Sequence, residues 1–332
     1  MNRICPRVSV VVPAYNEIEN LPEFYRRLTA VFKELEAELE LIVVDDGSTD
    51  GTPDWLRMTA KNDARVRFIS FSRNFGHQAA VTAGLQHTTG NAVVVMDADL
   101  QDPPEVIPHM LQRWYEGYQV IMGRRTQRDV DPFSKRFLAW AYYRVLARLS
   151  KTKIPLDGGD FCLMDRVVVD TLNSLPEHNR YIRGLRAWVG FRYTDCPFVR
   201  QQRFDGEPKY NFSKSIALAV DGVVSFSHSP LRLALYAGFA TGVLAFAMVA
   251  LVLYWRFVTD APFVGYATLV TAVLFLGSVQ LLAFGILGEY VGRIYDEVRG
   301  RPHYVVKETS PKTSSSGHSL DADVKKTSSL AA

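Results

Sequence analysis

The chain has 332 residues, 48% of them hydrophobic, and a formal net charge of +3 at pH 7. This length allows one large domain or two small ones, and the charge is too small to indicate a nucleic-acid partner. Cys5, Cys162 and Cys196 are far apart and have no metal-ligand spacing, which predicts reduced thiols in a cytosol-facing domain. A proline precedes any long apolar run at the N-terminus, so we expect no signal peptide.

The first hundred residues alternate between β-branched runs and segments with helical periodicity. Strands are predicted at Val8 to Val12, Leu41 to Val44, Val66 to Ser70 and Ala92 to Met96, with helices over Asn20 to Leu39, Pro53 to Lys61 and His77 to His87. This alternation predicts an α/β fold with a mostly parallel sheet covered on both faces.

Polar and acidic clusters follow three of these strands. They are Tyr15-Asn16-Glu17, Asp45-Asp46 and Asp97-Ala98-Asp99. Ligands of such sheets bind in the crevice beyond the carboxyl ends of the strands, so the clusters predict one shared site.

Asp97 and Asp99 have the pattern expected of ligands for a divalent cation. Mg²⁺ and Mn²⁺ prefer hard oxygen ligands, and two carboxylates two residues apart at a strand end can both reach one ion. The same tripeptide recurs at Asp321-Ala322-Asp323, in a tail without a preceding strand, where we expect no function.

Two long apolar stretches, Leu233 to Trp255 and Ala261 to Gly288, contain no charged residue. Each is long enough to cross a hydrocarbon core, which takes about 20 helical residues. Arg232 precedes the pair, and arginines follow it, so the positive-inside rule predicts a hairpin with both ends cytoplasmic. The Ser/Thr/Lys-rich tail from about Glu308 is expected to be disordered.

Phe133 to Leu149 and Asn211 to Phe226 combine aromatic and basic residues. Both are predicted to lie at the membrane interface rather than to span it, although ordinary core-facing helices remain an alternative.

Several ordered motifs carry a resemblance to a known family. They are VSVVVPAYNEIENL, VVDDGSTDGT, SRNFGHQAAVTAGL, MDADLQDPPE, GRR at 123–125, DGGDFCLMDR at 157–166 and RFDGEPKYNFSK at 203–214. Together with the two apolar stretches, they resemble the inverting GT-A glycosyltransferases of family two, in the branch that acts on polyprenyl phosphates. Dolichol-phosphate mannose synthases and bacterial bactoprenol-phosphate glucosyltransferases belong to this branch.

The resemblance implies a domain organisation. A cytoplasmic, Rossmann-like GT-A catalytic domain would occupy residues 1–210, and an interfacial amphipathic helix residues 211–230. Two transmembrane helices would lie within 231–292, followed by a cytoplasmic segment with a disordered tail over 293–332. The protein would then sit in the cytoplasmic membrane with both termini in the cytoplasm.

The resemblance also implies roles for residues at matching positions. The nucleotide-sugar would contact Pro13, Ala14, Tyr15, Glu17, Asp45, Asp46 and Asp97. Asp97, Asp99 and Gln101 would hold the cation, Mg²⁺ or Mn²⁺, and Asp99 would count among the catalytic residues. Asp160 would lie near the transferred sugar as a base or a positioning group, and Asp157 is a weaker candidate. Phosphate groups would be bound by Arg124, Arg136, Arg203 and Lys209.

Structural roles that involve no substrate are alternative interpretations for several of these residues. Asp46 is also typical of a turn, Tyr15 of a core, Arg124 and Arg203 of a surface, and Arg136 of a lipid headgroup contact. His77 and His87 have no obvious partner, and we expect both to be structural.

The implied reaction moves glucose from UDP-glucose to undecaprenyl phosphate with inversion. Alternatives are another donor, of the UDP-4-amino-arabinose or GDP-mannose type, and a catalytically inactive membrane scaffold. A polysaccharide synthase is disfavoured because Gln-x-x-Arg-Trp is missing and the corresponding region has Arg180-Tyr181-Ile182-Arg183-Gly184. The expected partners are the nucleotide-sugar, the lipid phosphate and the membrane, and a homo-oligomer would suit the hairpin.

Overall fold

The computed structural model describes residues 5–126, 159–177, 180–199, 229–258 and 265–310. Both segments predicted to be interfacial lie outside these ranges. The strands are β1 (Arg7–Ala14), β2 (Glu38–Asp45), β3 (Val66–Phe71), β4 (Ala92–Val95), β5 (Val120–Arg125), β6 (Cys162–Asp165), β7 (Tyr193–Phe198) and β8 (Val306–Thr309). The α-helices are α1 (Leu21–Glu34), α2 (Thr52–Asn62), α3 (His77–His87), α4 (Ile107–Tyr115), α5 (Arg166–Ser174), α6 (Ile182–Trp188), α7 (Ser229–Val258) and α8 (Tyr266–Arg299).

The described strands form one sheet in the order β7-β5-β6-β4-β1-β2-β3-β8. Its centre, β4-β1-β2-β3, is parallel throughout, whereas β6 and β8 run opposite to their neighbours. The central strands are buried along most of their length because helices cover both faces, which explains their runs of valine, isoleucine and leucine. The predicted α/β class with a mostly parallel sheet is confirmed.

The helices seal the sheet through narrow apolar stripes. In α1 the buried residues Leu21, Phe24, Leu28 and Phe32 recur at helical spacing and join the core on one face of the sheet. On the other face, α3 approaches β1 so closely that a Cβ at Gly84 would lie 2.2 Å from Val11 Cγ1. This contact fixes α3, whose first residue is His77, directly beside the central strands.

The order of the first seven elements agrees with the sequence prediction, but their bounds differ. The predicted helix over Asn20 to Leu39 ends at Glu34, and its last residues already belong to β2. The strands β5 to β8 were not among the predicted elements.

The chain returns to the sheet after the apolar helices. β8 pairs antiparallel with β3, and Arg57 of α2 donates hydrogen bonds to both carboxylate oxygens of Glu308 at 2.9–3.1 Å. The Tyr304 ring stacks on Phe71 at 4.7 Å between centroids. The expectation of disorder from about Glu308 is therefore wrong for the first residues of that tail, which form an edge strand.

α7 and α8 cover most of the two stretches predicted to span a membrane. Among the described residues, Phe275–Arg299 is long and apolar enough to cross one by length and composition, and Ala234–Met248 is a shorter apolar helical segment. Large side chains on both helices are exposed, including Phe239, Phe246 and Leu281. The two helices contact each other, as a hairpin requires, whereas their crossing of a membrane stays a prediction.

Candidate active site

The three polar clusters meet at one edge of the sheet. β1 and β2 pair in a register that places Ala14 opposite Asp45, and β1 and β4 pair with Val11 opposite Val95. Asp97, two residues after β4, therefore lies at the same carboxyl-terminal edge as the ends of β1 and β2. The three clusters that follow the predicted strands therefore lie at one edge of the sheet, where the sequence predicts a shared site.

His77, at the first position of α3, joins this edge. Its Nε2 lies 3.0 Å from Asp97 Oδ1, and its Nδ1 lies 4.0 Å from Asp160 Oδ2. The expectation that His77 has no partner and is only structural is wrong, because the start of α3 directs the ring between two carboxylates. His87, at the other end of α3, contacts the Ala83 carbonyl oxygen within its own helix, in agreement with a structural role.

Asp160 is held by an arginine that lies in α6. Arg183 donates from Nε to Asp160 Oδ1 at 2.7 Å and from Nη2 to Asp160 Oδ2 at 2.5 Å. Burial alone would raise the pKa of Asp160, but these hydrogen bonds and the charges of Arg183 and His77 lower it to about 2. Asp160 is thus ionised at neutral pH and has a fixed orientation.

The charges of the site alternate in sign. The imidazole of His77 lies between the carboxylates of Asp97 and Asp160, at 3.0 Å from the first and 4.0 Å from the second. Burial would lower the pKa of His77, but its hydrogen bond to Asp97 and the charge of Asp160 outweigh this and raise it above the usual value. His77 therefore offsets the repulsion between the two carboxylates.

The turn after β4 is tightly constrained. Leu100 adopts a left-handed backbone conformation with φ of 61°, and the buried Asp99 accepts the N–H of Gln101 at 3.1 Å. A branched residue with positive φ is uncommon and occurs mainly where a loop is fixed for function. Arg125, at the end of β5, approaches the buried Asp102 to 3.9 Å and closes the turn from the side.

The predicted cation ligands fit a divalent ion that also binds a diphosphate. Within the described ranges, no three His, Cys, Asp or Glu side chains lie together in a way that could hold a metal ion. Mg²⁺ is usually bound by one or two carboxylates together with substrate phosphates, so Asp97 and Asp99 supply a suitable set of hard oxygens. The Asp97 side chain is 39% exposed and can meet a ligand at the mouth of the crevice. Gln101 lies in the same turn, and its role as a third ligand stays a prediction.

The residues predicted for the nucleotide line the ends of β1 and β2. Pro13 and Ala14 are buried in β1, and the next residue, Tyr15, is 37% exposed. Glu17 accepts a hydrogen bond from Asn20 at 2.6 Å, and the buried Asp45 accepts the N–H of Ser48 at 2.9 Å. Tyr15 is therefore a partly exposed aromatic residue directly after β1, whereas Glu17 and Asp45 hold the local turns.

Asp46 is oriented towards the segment that precedes α3. Its two carboxylate oxygens accept the N–H groups of Phe75 at 2.7 Å and Gly76 at 2.9 Å. Burial raises the pKa of Asp46, and the two hydrogen bonds offset this only in part. Asp46 thus fixes the backbone that leads into His77, which agrees with the alternative of a structural turn residue.

The predicted phosphate-binding cations are only partly described. Arg124, in β5, has a 56% exposed side chain that pairs with Asp195 at 3.4 Å. Arg136, Arg203 and Lys209 lie outside the described residues, as does Asp157.

Comparisons with known proteins identify the family. The family model described as "Glycosyl transferase family 2" matches residues 9–172, and the model described as "GtrB C-terminal hairpin" matches residues 229–294. The chain is 45% identical over 301 residues to the uncharacterized glycosyltransferase YkcC of Bacillus subtilis, covering 91% of this chain and 93% of that protein. It is 40% identical over 304 residues to the bactoprenol glucosyl transferase of Shigella phage SfII, covering 91% and 98%.

One solved structure aligns with about two thirds of the chain. Glucosyl-3-phosphoglycerate synthase from Mycobacterium tuberculosis, in complex with phosphoglyceric acid, aligns with a TM-score of 0.43 and 25% identity over 67% of this chain and 79% of that one. Likeness at this level carries no information about ligands.

The chain belongs to glycosyl transferase family 2, has the GT-A fold and carries the GtrB type of C-terminal hairpin. The resemblance seen in the sequence motifs is confirmed.

Proposed function

We propose that this glycosyltransferase moves glucose from UDP-glucose to a polyprenyl phosphate, with inversion at the anomeric carbon. The observation that carries the proposal is the match, over nearly the whole of both chains and including the hairpin, to the bactoprenol glucosyl transferase of a Shigella phage. The network in which His77 links the carboxylates of Asp97 and Asp160 at the carboxyl edge of the sheet supports the same reaction.

The donor is expected to enter over the ends of β1 and β2. The exposed Tyr15 ring offers a surface for the base, and Asp97 and Asp99 would hold a divalent cation against the diphosphate. Such a cation, when bound, neutralises the charge that develops on the departing nucleoside diphosphate. His77 keeps the Asp97 carboxylate in place through the hydrogen bond to Oδ1.

The acceptor phosphate is already anionic at neutral pH, so its oxygen can attack without a strong base. A carboxylate with a pKa of about 2, held by two hydrogen bonds, is poorly suited to accept a proton. Asp160 therefore acts by orientation and charge in this proposal. The base role that the sequence leaves open is not needed.

The transfer assay tests the reaction. Purified enzyme in detergent receives undecaprenyl phosphate and labelled UDP-glucose, UDP-4-amino-arabinose or GDP-mannose, with Mn²⁺, Mg²⁺ or a chelator. Asp99→Ala is compared with Asp323→Ala, which changes the second Asp-Ala-Asp tripeptide instead. We expect metal-dependent labelling of the lipid from UDP-glucose that is lost only in Asp99→Ala. Labelling from another sugar would correct the donor, and donor binding without lipid labelling would contradict the acceptor.

We also propose that α7 and α8 cross the cytoplasmic membrane and leave the catalytic domain in the cytoplasm. Cys5 is exposed, whereas Cys162 and Cys196 are buried, so a membrane-impermeant maleimide should report on Cys5. We expect labelling only after spheroplasts are permeabilised, with Cys5→Ser as the control. Labelling of intact spheroplasts would refute this orientation.

A further inference from the structure

We propose that Arg183 is the cation that receives the acceptor phosphate, and that Asp160 serves the reaction by holding Arg183 in position. This inference rests on the proposed transfer to a lipid phosphate. It assigns a phosphate contact to a residue that was not among the predicted phosphate-binding cations.

The guanidinium of Arg183 is held in place by the carboxylate of Asp160. Two of its nitrogens bond the two oxygens of Asp160, which gives the planar guanidinium a fixed orientation. The Asp160 side chain is 13% exposed and that of Arg183 is 32% exposed, so the arginine is the more accessible member of the pair. An arginine that is held by a buried carboxylate and is itself partly exposed is preorganised for an anion.

The helix α6, which carries Arg183, is fixed by hydrogen bonds to neighbouring segments. Gln78, next to His77 in α3, accepts the N–H of Ile182 at 3.0 Å, and Arg186 donates to the Gly159 carbonyl oxygen at 3.1 Å. These bonds tie the start of α6 to α3 and to the residue before Asp160. Arg183 is therefore fixed relative to the crevice by its backbone as well as by its side chain.

Arg183 and the predicted diphosphate site at Asp97 belong to one network of side-chain contacts. In an inverting transfer the attacking and the leaving oxygen lie on opposite sides of the anomeric carbon. The diphosphate is assigned to Asp97, and the contacts run from Asp97 through His77 and Asp160 to Arg183. Arg183 is thus at the far end of this network of contacts from Asp97, and in the proposal it receives the acceptor phosphate there.

The experiment uses the full-length enzyme with undecaprenyl phosphate and with a water-soluble short-chain prenyl phosphate. Arg183→Gln and Arg183→Lys are compared with Arg113→Gln, which removes an exposed arginine paired with Glu116 on α4. We expect Arg183→Gln to lower kcat/KM for both acceptors by about 10- to 100-fold, mainly through KM, as for a lost charge-assisted hydrogen bond. Arg183→Lys should lose less, and UDP affinity measured by calorimetry should be unchanged in every variant.

Asp160→Asn and the double variant with Arg183→Gln test whether the two residues act together. If Asp160 positions Arg183, the double variant should be no worse than Arg183→Gln alone, and the pH dependence of kcat should keep its shape. If Asp160 is a base, Asp160→Asn should abolish one limb of that profile.

The outcomes are distinct. An unchanged acceptor KM in Arg183→Gln, with only a lower unfolding temperature, would reduce the pair to a structural link between β6 and α6 and overturn the inference. A wild-type enzyme that labels neither acceptor would instead overturn the proposed function.

Discussion

Gly47 follows the two aspartates at the end of β2, and an alanine there should disturb both the fold and the site. Its φ is +71°, and an added Cβ would lie 2.5 Å from the carbonyl carbon of Arg73 and 2.8 Å from the nitrogen of Asn74. These are backbone atoms of the segment whose next two N–H groups bind Asp46. The segment has to move away for the methyl group to fit.

The cost has two parts. A side chain in the left-handed region costs about 1–2 kcal/mol, and forcing a methyl group into a packed contact costs about 1–3 kcal/mol more. Gly117, with φ of +93° and nothing within 4 Å of an added Cβ, provides the matched control. Gly117→Ala should show only the first part, whereas Gly47→Ala should show both.

Denaturant unfolding of the purified chain, followed by tryptophan fluorescence, measures the difference between the two variants. We expect the free energy of unfolding to fall by about 1–3 kcal/mol more in Gly47→Ala than in Gly117→Ala. The affinity for UDP should fall in Gly47→Ala alone, since residues 73–76 lead directly into His77. Equal destabilisation of both variants would refute the argument that this contact is tight.

Three further predictions concern the packing and pH dependence of the fold. Gly84→Ala should destabilise the protein by about 1–3 kcal/mol, and combining it with Val11→Ala should cost less than the sum of the single changes in a double-mutant cycle. The pKa of Asp63 is lowered to about 2, chiefly by hydrogen bonds from Arg65, so stability should fall as the pH drops from about 4 to 2, and Asp63→Asn should flatten this part of a pH titration of the unfolding temperature. Tyr304→Ala should cost about 1–3 kcal/mol by removing the ring stacked on β3, whereas an unchanged unfolding temperature would mean that the return of the chain to the sheet contributes little.

The central half of the fold is predictable from sequence because its signals are local. The strands β1, β2 and β4 are buried on both faces and are therefore nearly continuous in valine, isoleucine and leucine. β8 has the sequence VKET and pairs through one edge only, so its side chains carry no such pattern. Its existence depends on a partner strand far away in the chain.

The residues of the candidate site were predictable from sequence where they directly follow a strand. Asp97 and Asp99 directly follow a strand, and the strand identifies them. His77 also follows a strand end, as part of the segment between β3 and α3, and this position was the available signal. The partner of Arg183 lies 23 residues away in a different element, so their pairing has no local signal in the sequence.

The late position of β8 has a consequence for synthesis of the protein. Phe68 in β3 bonds Ser310 across 242 positions of the chain, so the outer edge of β3 stays unpaired until the apolar hairpin has left the ribosome. An open strand edge is a template for unwanted pairing. The sheet is thus complete only after the apolar hairpin has been made, and a version cut before α7 would expose this edge permanently.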